Sequence, residues 1–573
     1  MKSQWLIYAV SFITLFAVIL LFSFLISEYT PVKSRIILFG GDVILILSPY
    51  WLLPSSKQKA VLIPIWCISL FLLTNVLYFR YWDDLIPFAS IFSLSSYNRL
   101  VIENVGSVFK WSDALFLIIP LLATISVVKI DLNNSTPQLH YRLCLFFGSM
   151  MVFIIVTFFS TYRIVRYWEN CGEKVKFESI FKSRFKIQSL RTQSWHANGI
   201  VCYLMSQLLS LDKYQRLTNL SENECALVHR VLYNNSIDDE NGDVPDDNRN
   251  KNLILIIVES LNSPVIGRVV DGKPITPVLD SLLRLSGTIQ ALNVVPQIKD
   301  GGSSDGQMIY NTGLLPVKSG ATAMLFADTE YPSIVKQLKP VSSAEFIYED
   351  KMIWNHAETT KAYGYDVLHD EDSLKRDSEI MKLGMDEALF KYALPRIVTM
   401  KQPFFAEITT LSMHSPFNDP AVSFPMWIDR YTEFGTLEKN YLRMTHYFDS
   451  QLGRFLDGLK ANGLFENTII VMVSDHDQRF KDTEMNQRYP IAFIALNTGI
   501  TTKVDKEIRQ CDVFPTILDI MKIPMSDYRG LGYSFLRNGY DDVKKRVTDD
   551  ELFEASDLII RSNYFETQLE STK

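Results

Sequence analysis

Asn252-Leu253-Ile254-Leu255-Ile256-Ile257-Val258-Glu259 is a continuous apolar run of strand length that ends in an acid. A strand that is apolar at every position must be covered on both faces, which is the situation of a central strand in a parallel sheet. A second run, NTIIVMVS from Asn467 to Ser474, has the same form and leads into Asp475 and His476. Helical patterns such as Pro277 to Leu285 and Tyr441 to Leu459 separate the two, so this half of the chain predicts an α/β sandwich on a largely parallel sheet. Ligands of such sheets gather at the carboxyl ends of the strands, and Glu259, Asp475 and His476 are expected to converge there although far apart in sequence.

Two carboxylates and an imidazole make a competent set of ligands for one divalent ion, Mn²⁺ foremost, with Zn²⁺ or Mg²⁺ as alternatives, and leave positions open for substrate. A nucleophile is then supplied by Asp300-Gly301-Gly302-Ser303-Ser304-Asp305-Gly306, a glycine-rich turn followed by a helical pattern from about Ser304 to Thr312. Free N–H groups at a helix amino terminus face phosphate oxygens, and a metal-bound serine hydroxyl loses its proton more readily. Each piece alone is ordinary, since strands often end in acids and Gly-Gly-Ser-Ser is usually a plain loop. The order strand-Glu, glycine-turn-Ser, strand-Asp-His carries the reading.

Working outward, 573 residues exceed what one hydrophobic core serves. Five apolar stretches fill the first 160 positions: Trp5 to Ile26, Ile36 to Leu53, Ala60 to Phe79, Ala114 to Val128 and Leu143 to Ser160. Each approaches the roughly 20 residues of a bilayer-crossing helix, and the second and fourth are short. The first is too long, and lacks the small-residue site, for a removable signal peptide. Five spans from a cytoplasmic amino terminus put the rest of the chain outside, although Lys and Arg divide evenly between the two sides and do not set the orientation. Asp42 lies within the second span, where an ionisable group is either functional or close enough to a helix end to reach the interface.

The expected organisation is therefore a transmembrane domain over 1–160, an amphipathic connector and linker over 161–250, a catalytic domain over 251–540 and a tail over 541–573. Basic and aromatic residues interleave from Tyr162 to Leu232, as in a helix lying on anionic head groups or a connector packed on its own domain. Ser236 to Asn252 reads as a flexible linker. The net charge of −7 offers no basic field for nucleic acid. Six cysteines include no C-x-x-C pair; Cys171, Cys202 and Cys225 could pair in an oxidising compartment, but spacing assigns no bridge.

At these residues the chain resembles the lipoteichoic acid synthase family, membrane-bound phosphoglycerol transferases of the alkaline phosphatase/sulfatase superfamily. Val258-Glu259-Ser260-Leu261 and Ser474-Asp475-His476 are similar to that family's two metal-binding motifs, and Ser303-Ser304-Asp305 to its Thr-Ser-Asp. Tyr78 to Ile86 looks like the loop after its third span, His196 to Leu204 like its connector, and Cys511 to Leu518 with Tyr528-Arg529-Gly530 like the closing segment of the wider group. Two departures stand out: serine replaces the nucleophilic threonine, and His356 replaces an arginine that binds phosphoglycerol.

The resemblance implies a five-helix transmembrane domain followed by a sulfatase-like α/β/α sandwich on the extracytoplasmic side. It implies metal bound by Glu259, Ser303, Asp475 and His476, Ser303 as nucleophile, and Trp354, His356 and His414 around the substrate's polar head. The implied reaction transfers a phosphoglycerol-like head group from a membrane phospholipid to an envelope glycan or polymer through a phosphoserine. A phosphoethanolamine transferase follows the same logic. A sulfatase or phosphodiesterase hydrolase is disfavoured because Ser303 is followed by Ser-Asp-Gly-Gln, without the x-Pro-x-Arg of the sulfatase signature. A non-catalytic relative that binds lipid or glycan has no need of the complete Glu259, Ser303, Asp475 and His476 set.

Overall fold

The computed structural model describes residues 2–566 apart from 27–35, 83–84, 87–108, 132–137, 171–175, 186–190, 210–214, 234–243, 352, 416, 423–425, 430–435, 479–488 and 526–527. Asp83 and Asp84 of the loop after the third span, Cys171, and residues 236–243 of the expected linker lie outside the described residues. Cys202 and Cys225 carry free thiols. The chain divides into two compact units, Met1–Tyr214 and Gln215–Lys573.

In the first unit, four helices among the described residues are long and apolar enough to cross a membrane: Lys2–Leu25, Ser55–Arg80, Trp111–Val128 and Leu139–Arg166. The second of the five expected spans is the short one, an apolar helix over Ile36–Leu52. Side chains such as Ile13, Phe24, Ile63 and Met151 point outward and exposed, as lipid-facing residues do. Several polar groups pair with one another inside the bundle. The Tyr50 hydroxyl donates to the Gln4 carbonyl at 2.7 Å, Gln4 Nε2 donates to Ser55 Oγ at 2.9 Å, and Arg80 grips Asp113 through two hydrogen bonds.

The helix Arg191–Leu208 belongs to this unit, with Trp195, Ile200, Cys202 and Tyr203 fully buried. Trp195 Nε1 donates to Ser23 Oγ at 3.0 Å and its ring meets Phe22 edge-on. This part of the connector is thus packed among the N-terminal helices. The helix breaks at Gly199, with φ 77° and ψ 174°, and Asp42 Oδ2 accepts the Ile200 N–H at 2.9 Å just beyond the break. A Cβ at position 199 would lie 2.1 Å from that oxygen, so the contact requires glycine. Asp42 is fully buried.

The second unit is built on β1 Asn252–Val258, a small hairpin of β2 Val269–Val270 and β3 Lys273–Pro274, β4 Ile289–Val295, β5 Ser342–Ile347, β6 Val367–His369, β7 Phe404–Thr409, β8 Thr468–Ser474, β9 Ile491–Leu496, β10 Thr502–Val504 and β11 Ile508–Arg509. The main sheet runs β10-β4-β9-β8-β1-β7-β5-β6, with β11 also on β4. β9 is antiparallel to both neighbours and every other pair in the sheet is parallel.

The all-apolar character of β1 has a direct cause. Leu253, Leu255 and Ile257 enter one core, and Ile254, Ile256 and Val258 enter a second core on the opposite face. Each of the six is at most 1% exposed, and burying such a side chain stabilises the fold by roughly 1.5–3 kcal/mol. Helices Ser303–Thr312, Val513–Ile520 and Asp549–Ser562 cover the first face, while Met385–Val398 and Thr436–Ala461 cover the second. Residues 541–573, set apart by sequence as a tail, include the helix Asp549–Ser562. A Thr548–Glu551 capping box starts it, and Leu552, Ala555, Leu558 and Ile559 join the core.

Candidate active site at the carboxyl edge of the sheet

The register of the two central strands sets the site. Val258 on β1 pairs with Ser474 on β8, so the next residues, Glu259 and Asp475, leave the sheet side by side on strands about 4.8 Å apart. Ser260 ties the two acids together: its N–H donates to Asp475 Oδ1 at 2.7 Å and its hydroxyl to Glu259 Oε1 at 2.7 Å. It does so in the left-handed region at φ 53°, a strained conformation for a non-glycine residue, held in place by Tyr441, whose hydroxyl accepts the Asn262 N–H and donates to the Ser260 carbonyl, both at 2.9 Å.

His476 Nδ1 lies 3.1 Å from the Asp477 carbonyl, which can only accept, so the Nδ1 proton points there and Nε2 faces the acids. Nε2 is 3.5 Å from Asp475 Oδ2 and 3.6 Å from Glu259 Oε1. Ser303 is the first residue of the helix Ser303–Thr312, and its Oγ lies 3.1 Å from Glu259 Oε2 and 3.2 Å from His476 Nε2. The four residues expected to converge therefore do. Asp305 pins the turn before the helix, its Oδ2 accepting the N–H groups of Lys299 and Gly301 at 2.9 Å each. At the other end of the motif, Gln510 donates to the Asp475 carbonyl at 2.7 Å and Tyr310 to the Ser474 carbonyl.

Burial pushes both acids toward protonation. At Glu259 the charges of His476 and His414 and the Ser260 hydroxyl outweigh burial and hold the carboxyl below its ordinary range. At Asp475 burial and the adjacent Glu259 charge act together and push it up to about 7. Burial lowers His476, but the two carboxylates outweigh it and raise the ring to about 8. Two acids this close cannot both ionise without a cation. One oxygen or nitrogen from each of Glu259, Asp475 and His476 lies within 4.8 Å of the others, and Asp475 Oδ2 is buried without a hydrogen-bond partner among the described residues. This donor set fits a divalent ion.

His414 lies in the loop after β7, which also supplies Thr410, whose Oγ1 accepts the Glu259 N–H at 3.1 Å. The His414 ring donates from Nδ1 to the Ser415 carbonyl at 2.8 Å and is near enough for its charge to act on Glu259. Trp354 and Asn355 are consecutive left-handed residues, φ 51° and 57°, just ahead of the helix His356–Tyr363. His356 is only 4% exposed, with Nδ1 3.1 Å from Glu345 Oε1 and Nε2 3.7 Å from Glu349 Oε2, so both ring nitrogens face carboxylates of the protein itself.

Residues 251–523 match the sulfatase family. Lipoteichoic acid synthase 2 of Bacillus subtilis is 26% identical over 519 residues, which span 85% of this chain and 75% of the relative. Residues 251–523 thus form a sulfatase-family domain, in a chain similar to lipoteichoic acid synthases. Lipoteichoic acid synthase of Staphylococcus aureus is 23% identical over 508 residues, covering 83% of this chain and 74% of the relative. Among solved structures, the integral membrane lipooligosaccharide phosphoethanolamine transferase A of Neisseria meningitidis shares the fold, with a TM-score of 0.53 at 12% identity over 93% of this chain and 97% of its own. Several residues of this lipoteichoic acid synthase-like site escape sequence reading. Tyr441 has no motif of its own, Ser260 stands within the Val258–Leu261 motif without showing that it links the two acids, and Gln510 precedes the Cys511–Leu518 segment without marking itself as a brace for Asp475.

Proposed function

We propose that the enzyme moves a phosphoglycerol-like head group from a membrane phospholipid to an envelope glycan or polymer, with its catalytic unit on the extracytoplasmic side and Ser303 as the covalent carrier. The observation that supports this most is the Ser303 hydroxyl at a helix amino terminus, 3.1 Å from Glu259 and 3.2 Å from His476. The names of the relatives, lipoteichoic acid synthases, point to the same class of transfer.

Glu259, Asp475, His476 and Ser303 would hold one divalent ion, for which Mn²⁺, Zn²⁺ and Mg²⁺ all suit the oxygen-rich donor set. When bound, the ion supplies Lewis acidity that lowers the serine pKa and offsets charge on the phosphoryl oxygens. Ser303 Oγ, its proton released to solvent, attacks phosphorus and forms a new P–O bond as the P–O bond to diacylglycerol breaks. Diacylglycerol leaves as the alcohol after taking a proton, with His414 as the candidate donor. An acceptor hydroxyl then attacks the phosphoserine, His414 takes its proton, the Ser303 Oγ–P bond breaks, and Ser303 Oγ takes a proton back from solvent. Trp354, held in its strained backbone beside the helix His356–Tyr363, would cover the head group.

The test incubates full-length protein and Ser303→Ala with labelled phosphatidylglycerol and, separately, phosphatidylethanolamine, following diacylglycerol release with and without a chelator. Release by the wild type alone, lost on metal removal, supports the reading. Equal release by the variant removes Ser303 from the reaction, and preference for the ethanolamine lipid reassigns the head group.

A further inference from the structure

Beneath the nucleophile helix lies a buried polar layer that the reaction as described does not use. Glu345 on β5 and Glu407 on β7 are register partners, 1% and 0% exposed. Gln307 spends both Nε2 hydrogens on them, donating to Glu345 Oε1 at 2.7 Å and to Glu407 Oε1 at 2.6 Å. Asn311 and Tyr365 complete Glu407, donating to Oε2 at 2.7 and 2.8 Å. Ser303, Gln307 and Asn311 follow one another at four-residue spacing and so share one face of the helix. The same face that presents the nucleophile is bolted to these two acids.

Two adjacent carboxylates in a dry layer repel one another unless a cation or a proton intervenes. His356 is the cation in contact: its Nδ1 is 3.1 Å from the Glu345 oxygen that also receives Gln307. Thr360, one turn along the same helix, donates to the other Glu345 oxygen at 2.5 Å. Glu349 approaches the far ring nitrogen at 3.7 Å.

We propose that His356 is a positioning residue: its ring pairs with Glu345, Glu345 holds Gln307, and Gln307 fixes the helix that presents Ser303 to phosphorus. The reading rests on the reaction proposed above and assigns to this side chain no contact with the head group. Burial opposes a charged ring, but the hydrogen bonds and charges of Glu345 and Glu349 outweigh it and raise His356 to about 10, so it is cationic at neutral pH. Position 356 thus keeps a positive charge where the resembling family has arginine, turned inward to the sheet instead of outward to substrate.

The experiment compares full-length wild type, His356→Gln, Glu345→Gln and the double variant, reading kcat and KM for labelled phosphatidylglycerol, Mn²⁺ affinity by calorimetry, and the thermal midpoint. His356→Gln leaves a buried carboxylate unpaired. It should lower kcat at least tenfold and weaken Mn²⁺ binding severalfold, because Ser303 is displaced, with KM within twofold of wild type. The double variant removes both charges and keeps an amide oxygen for Gln307, so it should recover most of both quantities. A raised KM with kcat and Mn²⁺ affinity intact would instead make His356 a head-group ligand. Loss of thermal stability alone, or a double variant no better than the single, also overturns the proposal. If His356→Gln does not fold, the double variant decides by itself: near-wild-type Mn²⁺ binding supports the proposal and its loss refutes it. A wild type that turns over neither lipid sinks the proposed reaction, while the Mn²⁺ measurements still judge His356.

Discussion

Gly306 lies against the backbone of Asp475, so close that a Cβ at position 306 would stand 2.4 Å from the Asp475 carbonyl oxygen and 2.8 Å from its Cα. The nucleophile helix can approach the metal-binding end of β8 only because that position has no side chain. Gly306→Ala must push the helix away, since the obstructing atoms are backbone and cannot rotate aside. A shift of near 1 Å at a reacting centre costs on the order of 100-fold in rate, and overpacking costs about 1–3 kcal/mol in stability. The variant should fold, lose turnover by about that factor, and bind Mn²⁺ more weakly; calorimetry beside the lipid assay checks this. Unchanged turnover would mean that the Ser303 position tolerates movement.

Tyr441 supports the site from the other side. Its hydroxyl accepts the Asn262 N–H and donates to the carbonyl of Ser260, the left-handed residue that links the two metal-binding acids. Tyr441→Phe leaves both groups unpaired in a buried place, at a cost of about 1–3 kcal/mol. Loss of an outer partner of this kind weakens metal binding by roughly 10-fold or more. The expected result is a lower thermal midpoint together with weaker Mn²⁺ affinity, the second effect separating Tyr441 from tyrosines that merely fill the core.

The central strands and the four converging residues were legible because a strand buried on both faces must be apolar throughout, and β1 and β8 announce that directly. The layer beneath them was not. Glu345 in SSAEFI and Glu407 in FFAEIT sit at positions that read, one strand at a time, as polar points on an otherwise apolar strand. Their burial follows only once β5 and β7 lie side by side and Gln307 arrives from a third segment. The helix Asp549–Ser562 was missed for a different reason. Its apolar stripe is broken by acids, and only the core beneath it shows what Leu552, Ala555 and Ile559 cover.

The raised pKa of His356 carries a consequence for stability. A base whose folded pKa, here about 10, exceeds its ordinary value of 6.5 binds more protons in the folded state. Its contribution is fully present below pH 6.5 and is lost as pH rises toward 10. Measured against His356→Gln, the stability advantage of the wild type should therefore shrink from pH 6.5 to pH 10, by an amount on the order of several kcal/mol at most. Glu345 and Glu349 are the carboxylates that face the ring. Denaturant midpoints of the two proteins at pH 6.5, 8 and 10 test the sign. A difference that grows with pH would show that the ring is neutral in the folded protein.

In the membrane unit, Asp42 joins two segments far apart in sequence by accepting the Ile200 N–H where the helix Arg191–Leu208 breaks. The oxygen acts as a cap for the second half of that helix, in surroundings without water to replace it. Asp42→Ala removes the acceptor and should lower the unfolding midpoint of the detergent-solubilised protein, by an amount corresponding to about 1–2 kcal/mol. Asp42→Asn keeps an oxygen at the same reach and should lose less. The order wild type, Asn, Ala follows from capping. If Asn and Ala fall together, the carboxylate charge matters instead of the hydrogen bond, and Asp42 regains its standing as a functional candidate in the membrane.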